Sequence, residues 1–471
     1  MPMKYLYGAA VQGIQQFIFR TNELKDIVAA SDKVKKIGDE LFENLLVLND
    51  KKCSVINAAG NIKYIFEKRE DCEQVVKNFP RKVLEYAPGI TVSQAVVEME
   101  SDDDFGKKVN ELEKKLRAQR NQPMPSVTLG LMGLERDLKL KSEKDVLKNV
   151  NSKLVKDAFG EEEHESIFDT DHMTNQNDWI AVIHADGNGL GQIVQQKGND
   201  REKFQEFSKD LDDATKKSAQ EAYEALEEKD WDERHVPIRP IVLGGDDFTV
   251  ICRGNLAVRY VTAFIKAFEK NSPENLTACA GIAFVKSSFP FYYAYDLAES
   301  LCEEAKKASK KIREEKAPSS IMFHKVQDSF LTDYKDIVKR ELTMPDGISF
   351  KFGPYFVTDK QDDYWTVENL LSKVDGLKSE DKDKQKECNA IKSRLRNWMT
   401  LKKINPEMAK QDLDRIMAIA GNGMKEFVKE VTKEQTITID DKTVRRVPVY
   451  DILALRTINE QVTKNPKKKE Q

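Results

Sequence analysis

The sequence predicts an α+β fold in which two ferredoxin-like β-α-β-β-α-β units precede a mainly helical C-terminal domain. The order strand, helix, strand, strand, helix, strand can be read twice along the chain, and a short turn separates the two central strands of each copy. From about residue 331 onward, Lys- and Glu-rich segments with helical spacing dominate. The 471 residues are long enough for about three domains.

The first unit is predicted over residues 1–100. Tyr5–Val11 is an apolar run typical of a buried strand, and the apolar residues of Ile14–Val28 recur at helical spacing. Two short β-rich runs, Cys53–Asn57 and Ile62–Phe66, are separated by turn residues and predict a hairpin. A helical segment and a last strand then complete the unit.

The second unit is predicted over residues 176–330, after a charge-rich helical connector at residues 101–175. Strand Trp179–His184 leads into a long amphipathic helix, and strands Ile238–Leu243 and Phe248–Cys252 flank a tight turn. A helix, a strand and a second helix follow. The repeated order of elements indicates an internal duplication.

The third region, residues 331–471, is predicted to be mainly helical. A short β-like stretch, Ile348–Val357, precedes helical patterns that are interrupted at Pro406 and at Gly421–Gly423. The basic residues of Lys464–Gln471 are expected to form a frayed end.

Composition and charge exclude several classes of protein. The formal net charge is -4, so the chain has no overall basic field of the kind that drives non-specific binding to nucleic acids or membranes. The six cysteines show no C-x-x-C spacing, which argues against a zinc ribbon. No apolar run approaches the roughly 18 residues of a membrane span, and no signal-peptide cleavage pattern is present. We therefore expect a cytoplasmic protein without a membrane partner.

Two acidic turn sequences are the strongest functional signal. Asp186 follows the first strand of the second unit, and Asp246 and Asp247 lie in the turn between its central strands. Because the first strand and the central hairpin are neighbours in this fold, the three carboxylates are expected to converge at one edge of the sheet. Without a matching Arg or Lys they would repel one another unless a divalent cation lies between them. Such oxygen ligands suit Mg²⁺ or Mn²⁺ that bridges substrate phosphates.

Glycines surround both acidic turns. Gly244 and Gly245 remove side chains where a nucleotide must approach the backbone, and they permit positive φ in the hairpin. Gly187, Gly189 and Gly191 leave N–H groups near a helix N-terminus that can hold phosphate oxygens. Each fragment alone is also a common turn sequence. Together, on two neighbouring elements of one unit, they predict phosphoryl transfer without a side-chain nucleophile.

With these motifs the second unit resembles the palm domain shared by GGDEF-type cyclases, class III nucleotide cyclases and the polymerase-like large subunit of type III CRISPR effectors, the Cas-ten family. It is most similar to the last. The active palm of that family carries Gly-Gly-Asp-Asp on the hairpin, here Gly244–Asp247, and a strand that ends in Asp-Gly, here Asp186–Gly187. Ala280–Ala283 and Ala298–Lys306 are similar to the last strand and helix of that palm.

The resemblance implies roles for individual residues. The implied metal ligands are Asp186, Asp246, Asp247 and the backbone carbonyl of Gly187. The implied nucleotide-binding residues are Gly187, Asn188, Gly189, Gly244, Gly245 and Lys306, of which the lysine faces the triphosphate. His184, on the same strand as Asp186, is expected to be a satisfied core histidine.

The stretch Gly8–Ile18 is similar to the start of the family's first palm, which is normally catalytically silent. The hairpin of this unit reads Ala58–Asn61 and has no carboxylate at its tip, so we expect it to hold no metal and to complete a composite pocket for a second nucleotide. None of the five histidines is followed by Asp, and the family's zinc-binding insertion is missing. These two differences from the family pattern predict a compact version of the large subunit that lacks the HD nuclease domain.

The predicted activity is that of a nucleotidyltransferase that releases pyrophosphate and joins nucleoside triphosphates, ATP above all, into a cyclic or linear oligonucleotide second messenger for antiviral defence. Two alternatives stay open. One is a cyclic dinucleotide cyclase, and the other is a non-catalytic scaffold subunit of an RNA-guided CRISPR-type complex. The expected partners are nucleoside triphosphates, an RNA or protein activator, and effector subunits or further copies of the chain.

Overall fold

The computed structural model describes most of the chain, and it does so in these ranges: residues 3–46, 53–58, 60–100, 105–121, 152–160, 170–174, 179–197, 200–226, 236–327, 333–361, 363–439 and 442–460. The predicted frayed end at residues 464–471 and much of the predicted connector lie outside the described residues. None of the helices in these ranges combines the length and apolar character that crossing a bilayer requires.

The first unit has the predicted order of elements. They are β1 (Lys4–Gln12), α1 (Ile14–Ile18), α2 (Leu24–Lys36), β2 (Ser54–Ala58), β3 (Asn61–Phe66), α3 (Arg69–Tyr86) and β4 (Thr91–Met99). The strands form an antiparallel sheet in the order β2-β3-β1-β4, which is the ferredoxin-like arrangement.

Both faces of this first sheet are covered, because successive side chains of a strand point to opposite faces. On one face, Tyr7 and Ala9 of β1 pack in a core with α3. On the other face, Leu6 packs against α4 (Phe105–Arg120), a helix of the region predicted as connector. Among the described residues of that region, two further short helices follow, α5 (Ser152–Phe159) and α6 (Thr170–Met173).

The second unit repeats the arrangement. Its elements are β5 (Trp179–Gly187), α7 (Leu190–Lys197), α8 (Arg201–Glu224), β6 (Ile238–Gly244), β7 (Asp247–Arg253), α9 (Ala257–Asn271), β8 (Ala278–Lys286), α10 (Phe291–Ile312) and β9 (Ser320–Lys325). The strand order β8-β5-β7-β6 is again ferredoxin-like and antiparallel. The sheet continues beyond the unit with β9, which is parallel to β8, and with a two-residue strand from the C-terminal region.

The two units share one hydrophobic core. Ile180 and Val182 of β5 pack with α10 and also with Ile27 and Val28 of α2 in the first unit. The rings of Phe19 and Tyr295 stack across this interface with their centroids 4.6 Å apart. The first unit therefore supplies a layer of the second unit's core, and this contact fixes the two sheets relative to each other.

The C-terminal region is helical, as predicted, but it also contains strands. Its elements are α11 (Tyr334–Ile337), β10 (Ile348–Ser349), β11 (Tyr355–Phe356), α12 (Val367–Asp375), α13 (Lys382–Ile404), α14 (Pro406–Ile419), α15 (Asn422–Thr432), β12 (Gln435–Ile439), β13 (Lys442–Arg446) and α16 (Val449–Glu460). Strand β11 is the edge strand of the second sheet, and β10, β13 and β12 form a small sheet that was not predicted.

The break predicted at Pro406 has a local cause. Asn405 ends α13 and also caps α14, since its side-chain oxygen accepts hydrogen bonds from the backbone N–H groups of Glu407 and Met408 at 3.1 and 3.2 Å. Pro406 then takes the first position of α14, where a missing N–H is tolerated. Two helices thus follow each other without a loop.

A buried carboxyl in this region predicts a pH-dependent stability. Burial of Asp451 raises the pKa of its carboxyl from 3.8 to about 7, although the Tyr355 hydroxyl donates a hydrogen bond to it at 2.6 Å. The stabilising contribution of the proton is therefore present below the ordinary pKa and is lost as the pH rises through about 7. We expect Asp451→Asn to unfold at nearly the wild-type temperature at pH 5 and several degrees higher at pH 8.

Thermal melts of the two proteins at both pH values check this expectation. The matched control is Asp414→Asn, which changes an exposed carboxylate on α14 and should follow the wild type at each pH. The expectation would be contradicted if the melting temperatures of Asp451→Asn and the wild type differed by the same amount at pH 5 and at pH 8.

Candidate functional site

The predicted acidic residues lie at one edge of the second sheet. Asp186 and Gly187 end β5, Asp246 is in the turn after β6, and Asp247 begins β7. The register pairs Ala185 of β5 with Phe248 of β7, so the ends of the two strands lie side by side. The carboxyl groups of Asp186 and Asp246 are hydrogen-bonded to each other.

Two glycines make this approach possible. A Cβ atom on Gly187 would lie 3.3 Å from Cβ of Asp246 and 2.5 Å from Cδ1 of Leu190, so a larger residue would push the second acid away. Gly245 has a φ of +60°, which the tight turn requires and which other residues rarely adopt. Its N–H donates a hydrogen bond to Asp212 Oδ1 on α8 at 3.2 Å, and this bond fixes the turn.

The paired acids have opposite protonation tendencies. Burial, with added repulsion from Asp186, raises the pKa of Asp246 to about 7. Burial also acts on Asp186, but the hydrogen bond with Asp246 and the charge of Lys306 outweigh it, and the pKa of Asp186 is lowered. The pair therefore holds one proton between two carboxyl groups near neutral pH unless a cation compensates the second charge.

Lys306 on α10 lies directly at this pair. Its Nζ atom donates hydrogen bonds to Asp186 Oδ2 and, at 2.9 Å, to the carbonyl oxygen of Gly187. The side chain is 18% exposed, so this ion pair is partly shielded from solvent. The Asp186 carboxylate and the Gly187 carbonyl thus present oxygens to one cationic group, with the Asp246 carboxyl in contact.

Asp247 lies near this pair, because its charge interacts with those of Asp186 and Asp246, but other side chains hold its carboxylate. Its Oδ1 atom accepts a hydrogen bond from the Thr249 hydroxyl at 3.3 Å and is 3.6 Å from His184 Nδ1. The amide of Gln15, on α1 of the first unit, also donates to this carboxylate. Burial raises the pKa of Asp247.

Thr249 on the same strand, His184 on β5 and Gln15 of the first unit hold the Asp247 carboxylate, so its role as a metal ligand stays a prediction. Among the described residues, no three His, Cys, Asp or Glu side chains are placed to share one ion. Two carboxyl groups, those of Asp186 and Asp246, do meet as predicted.

The other predicted residues have different surroundings. Asn188 is buried, and its side-chain amide donates to Thr277 Oγ1 at 3.0 Å inside the domain, so its role in nucleotide binding stays a prediction. Gly189 directly precedes α7, and its carbonyl accepts from the N–H of Gln192 at 3.1 Å. His184 is buried, and its Nδ1 atom is 3.2 Å from Thr249 Oγ1, as expected for a satisfied core histidine.

A cavity of about 290 Å³ opens beside the site, between the two units. The first unit contributes residues of α1 and α2 to its wall, and the second unit contributes residues of α8 and the β6-β7 hairpin. The lining includes Gln15, Lys35, Asp212, Lys216, Gly244 and Asp247. The cavity therefore reaches from the silent first unit to the acidic turn of the second.

Sequence reasoning missed the polar residues that the first unit and α8 bring to this cavity. Gln15 lies in the quoted stretch Gly8–Ile18, but no local pattern connects it with an acid more than two hundred positions away. Asp212 and Lys216 are four positions apart and form an ion pair, a spacing that the sequence does display. Only the packing of the two units shows that this pair faces the site.

Comparisons with known proteins support the fold described above. Residues 179–314 match the model of the Cas10/Cmr2 second palm domain. A search of curated proteins finds no significant match. Among solved structures, a chain of the Csm1–Csm4 cassette in complex with cA4 matches with a TM-score of 0.67 and 15% identity, covering 98% of this chain and 70% of that one.

Two further structures give similar results. The Csm1–Csm4 cassette in complex with AMPPNP matches with a TM-score of 0.65 and 16% identity, with 98% of this chain and 70% of that chain covered. The Csm1–Csm4 subcomplex in the type III-A CRISPR-Csm interference complex matches with a TM-score of 0.57 and 15% identity, with the same coverage. The predicted resemblance is thereby confirmed: residues 179–314 match the second palm domain of the Cas10/Cmr2 family, and the chain as a whole shares the fold of Csm1.

Proposed function

We propose that this chain is a Mg²⁺- or Mn²⁺-dependent nucleotidyltransferase that joins ATP molecules into a cyclic or linear oligoadenylate, a second messenger of antiviral defence. The observation that carries this proposal is the contact between Asp186 and Asp246 at the edge of a palm of the Cas10/Cmr2 type, beside a cavity between two such units. Structures with this fold include complexes with AMPPNP, cA3 and cA4.

The donor atoms at the site fit a hard divalent cation. The carboxylates of Asp186 and Asp246 and the carbonyl of Gly187 are all oxygen donors, and the first and third already bind the Lys306 ammonium. Such a set leaves several positions for phosphate oxygens and water, which Mg²⁺ prefers. When bound, the ion would activate the attacking hydroxyl and neutralise charge on the phosphates.

In the proposed reaction a ribose hydroxyl of one nucleotide attacks the α-phosphorus of another. A new P–O bond forms, the bond to the β-phosphate breaks, and pyrophosphate leaves with its electron pair, while the hydroxyl proton passes to water. In this reaction Lys306, which contacts the Gly187 carbonyl, would bind the triphosphate, and Asp247, held by Thr249 and Gln15, would shape the side of the site that faces the first unit.

The cavity supports the predicted composite pocket for a second nucleotide. Its volume of about 290 Å³ is close to the roughly 300 Å³ at which small-molecule sites begin. Because its walls come from both units, the first unit can take part in binding although its β2-β3 hairpin carries no acid. The two nucleotides of the reaction would then be held by different units.

Incubation with labelled nucleotides tests this proposal. The purified protein is incubated with each nucleoside triphosphate and Mg²⁺ or Mn²⁺, beside an Asp246→Ala, Asp247→Ala double variant, and products are resolved by chromatography and mass. We expect a pyrophosphate-releasing oligoadenylate product that is lost in the variant. A cyclic dinucleotide as the main product would favour the cyclase alternative.

The second candidate is a scaffold subunit of an RNA-guided CRISPR-type complex. It is favoured by the match to chains that are assembled with Csm4 in solved structures. The scaffold role would be favoured over the enzyme by two results together. No product forms from any nucleotide, even with added target-like RNA or candidate effector subunits, and the chain binds those partners stably. Self-association of the chain is a third arrangement that the same preparation reports by its mass in solution.

Replacing Lys306 with methionine is expected to lower kcat/KM for ATP roughly 10- to 100-fold, since the ammonium that contacts Asp186 and would bind the triphosphate is lost. Steady-state kinetics measures the effect. Lys307→Met is the control, because Lys307 is 58% exposed and pairs with Glu303 on the same helix. Equal losses in both variants would contradict a specific role of Lys306.

A further inference from the structure

Gln15 occupies an unusual position for a side chain of the silent unit. It lies on α1 of the first unit, lines the cavity between the units, and contacts Asp247 of the second unit. Its Oε1 atom is buried and has no hydrogen-bond donor among the described residues. A buried acceptor without a donor is rare in folded proteins and calls for a physical explanation.

The orientation of the amide follows from its partner. In the side-chain hydrogen bond between Gln15 and Asp247 the amide nitrogen is the donor, so the Nε2 group of Gln15 faces Asp247. The oxygen of the same amide is then held on the other side of the side chain. If the amide were rotated, Oε1 would lie against the Asp247 carboxylate, so two acceptor oxygens would face each other and Oε1 would still have no donor.

The polar side chains that line the cavity have acceptors of their own. The hydroxyl of Ser31 donates to the carbonyl of Ile241, and the Asn57 amide donates to the carbonyl of Gly38 at 3.2 Å. The remaining cations of the wall are engaged as well: Lys35 pairs with Asp157, and Lys216 pairs with Asp212. None of these donors contacts Gln15 Oε1, which leaves a molecule bound in the cavity as a source of the missing donor.

We infer that Gln15 is a positioning and specificity residue, whose amide N–H holds Asp247 and whose oxygen accepts a hydrogen bond from the nucleotide bound in the cavity. This inference rests on the proposed function. The donor on the nucleotide is either a ribose hydroxyl or the exocyclic amine of the base. In both cases the first unit, whose hairpin tip carries no acidic residue, supplies a side chain that connects the second nucleotide with the acidic turn of the second unit.

Binding of analogues to the wild-type protein separates these two donors. The ligands are α,β-methylene analogues, which cannot release pyrophosphate, of ATP, 2′-deoxy-ATP, 3′-deoxy-ATP and purine riboside triphosphate, measured by calorimetry with Mg²⁺. We expect one of the three altered nucleotides to bind roughly five- to tenfold more weakly than the ATP analogue, the effect of one hydrogen bond. Loss with a deoxy analogue identifies the ribose, and loss with the purine riboside identifies the amine.

Variants then assign the effect to Gln15. In Gln15→Leu the same analogue should bind no more weakly than the ATP analogue, whereas Gln16→Leu, an exposed neighbour on α1, should discriminate as the wild type does. A purely structural role of Gln15 would lower all affinities alike and leave the discrimination intact. If Gln15→Leu does not fold, Gln15→Asn, which withdraws the amide while keeping its polarity, takes its place.

The outcomes are distinct. Wild-type protein that binds all four analogues equally, or binds none of them, overturns the inference, and so does discrimination that survives in the Gln15 variant. Wild-type protein that discriminates in this way but makes no product from ATP, even with added target-like RNA and candidate effector subunits, would overturn the proposed function and leave the role of Gln15 intact.

Discussion

Replacing Asp246 with asparagine is expected to abolish product formation while leaving the protein folded. Asp246 contacts Asp186 at the centre of the proposed site, and an amide cannot supply the second negative charge that binds a divalent cation. We expect product formation to fall at least about 100-fold, the loss typical of removing one preorganised electrostatic group. Release of pyrophosphate from ATP with Mg²⁺ measures it.

The same substitution is expected to stabilise the protein without added metal. Since burial and repulsion raise the pKa of Asp246 to about 7, the contribution of its proton to stability is present below the ordinary pKa of 3.8 and is lost as the pH rises through about 7. Asparagine carries no charge at any pH. At pH 8, in the presence of a chelator, Asp246→Asn should therefore melt above the wild type, and the difference should shrink at pH 5.

The matched control for both measurements is Asp210→Asn, which changes an exposed carboxylate on α8 and should leave activity and melting temperature unchanged. Turnover by Asp246→Asn at more than a tenth of the wild-type rate would remove Asp246 from the proposed machinery. A lower melting temperature of Asp246→Asn than of the wild type at pH 8 would contradict the inference that Asp186 and Asp246 repel each other in the folded protein.

Replacing Gly281 with alanine is expected to have the largest effect on folding. Gly281 is in the middle of β8, and an added Cβ atom would lie 1.9 Å from the carbonyl oxygen of Ala298 and 2.5 Å from the backbone nitrogen of Cys302. Both atoms belong to the backbone of α10, so the helix itself would have to move off the sheet. Overpacking of this kind costs about 3 kcal/mol or more.

Displacement of α10 would also move Lys306 away from Asp186, so any folded Gly281→Ala protein should be less active. Urea unfolding and expression of soluble protein measure the loss of stability. Gly423→Ala on α15 is the control, since an added Cβ meets no atom within 4 Å there and alanine favours the helix. Similar stability of the two variants would show that α10 does not pack as closely as described.

The fold was predictable because each element carries a local signal. Alternating or continuous apolar runs define β5, β7 and β8, and the turn residues around Asp246 define the hairpin, so their adjacency follows from the ferredoxin-like order alone. That adjacency predicted the contact of Asp186 with Asp246. The predicted domain boundaries stay predictions, since the hydrophobic core runs across them.

The unpredicted features depend on side-chain direction and on long-range packing. Asp247 and Asn188 are next to correctly placed residues, but hydrogen bonds to Thr249 and Thr277 decide where their side chains point. No periodicity reports such partners. The β12-β13 hairpin did have a local signal, the alternation of Thr and Ile in Gln435–Ile439, but it lies in a segment whose charge pattern favoured helices.

The packing of α1 and α2 into the second sheet divides the first unit into regions with different tolerance to substitution. Exposed residues on the outer face of α3, such as Arg69 and Arg81, form ion pairs within that helix, and replacements there would be tolerated. Phe19 and Ile27 are buried against the other unit, so replacements at these positions would disturb a site on a different sheet. In a deep mutational scan, substitutions at these buried positions of the first unit should therefore lower activity as strongly as substitutions in the core of the second unit.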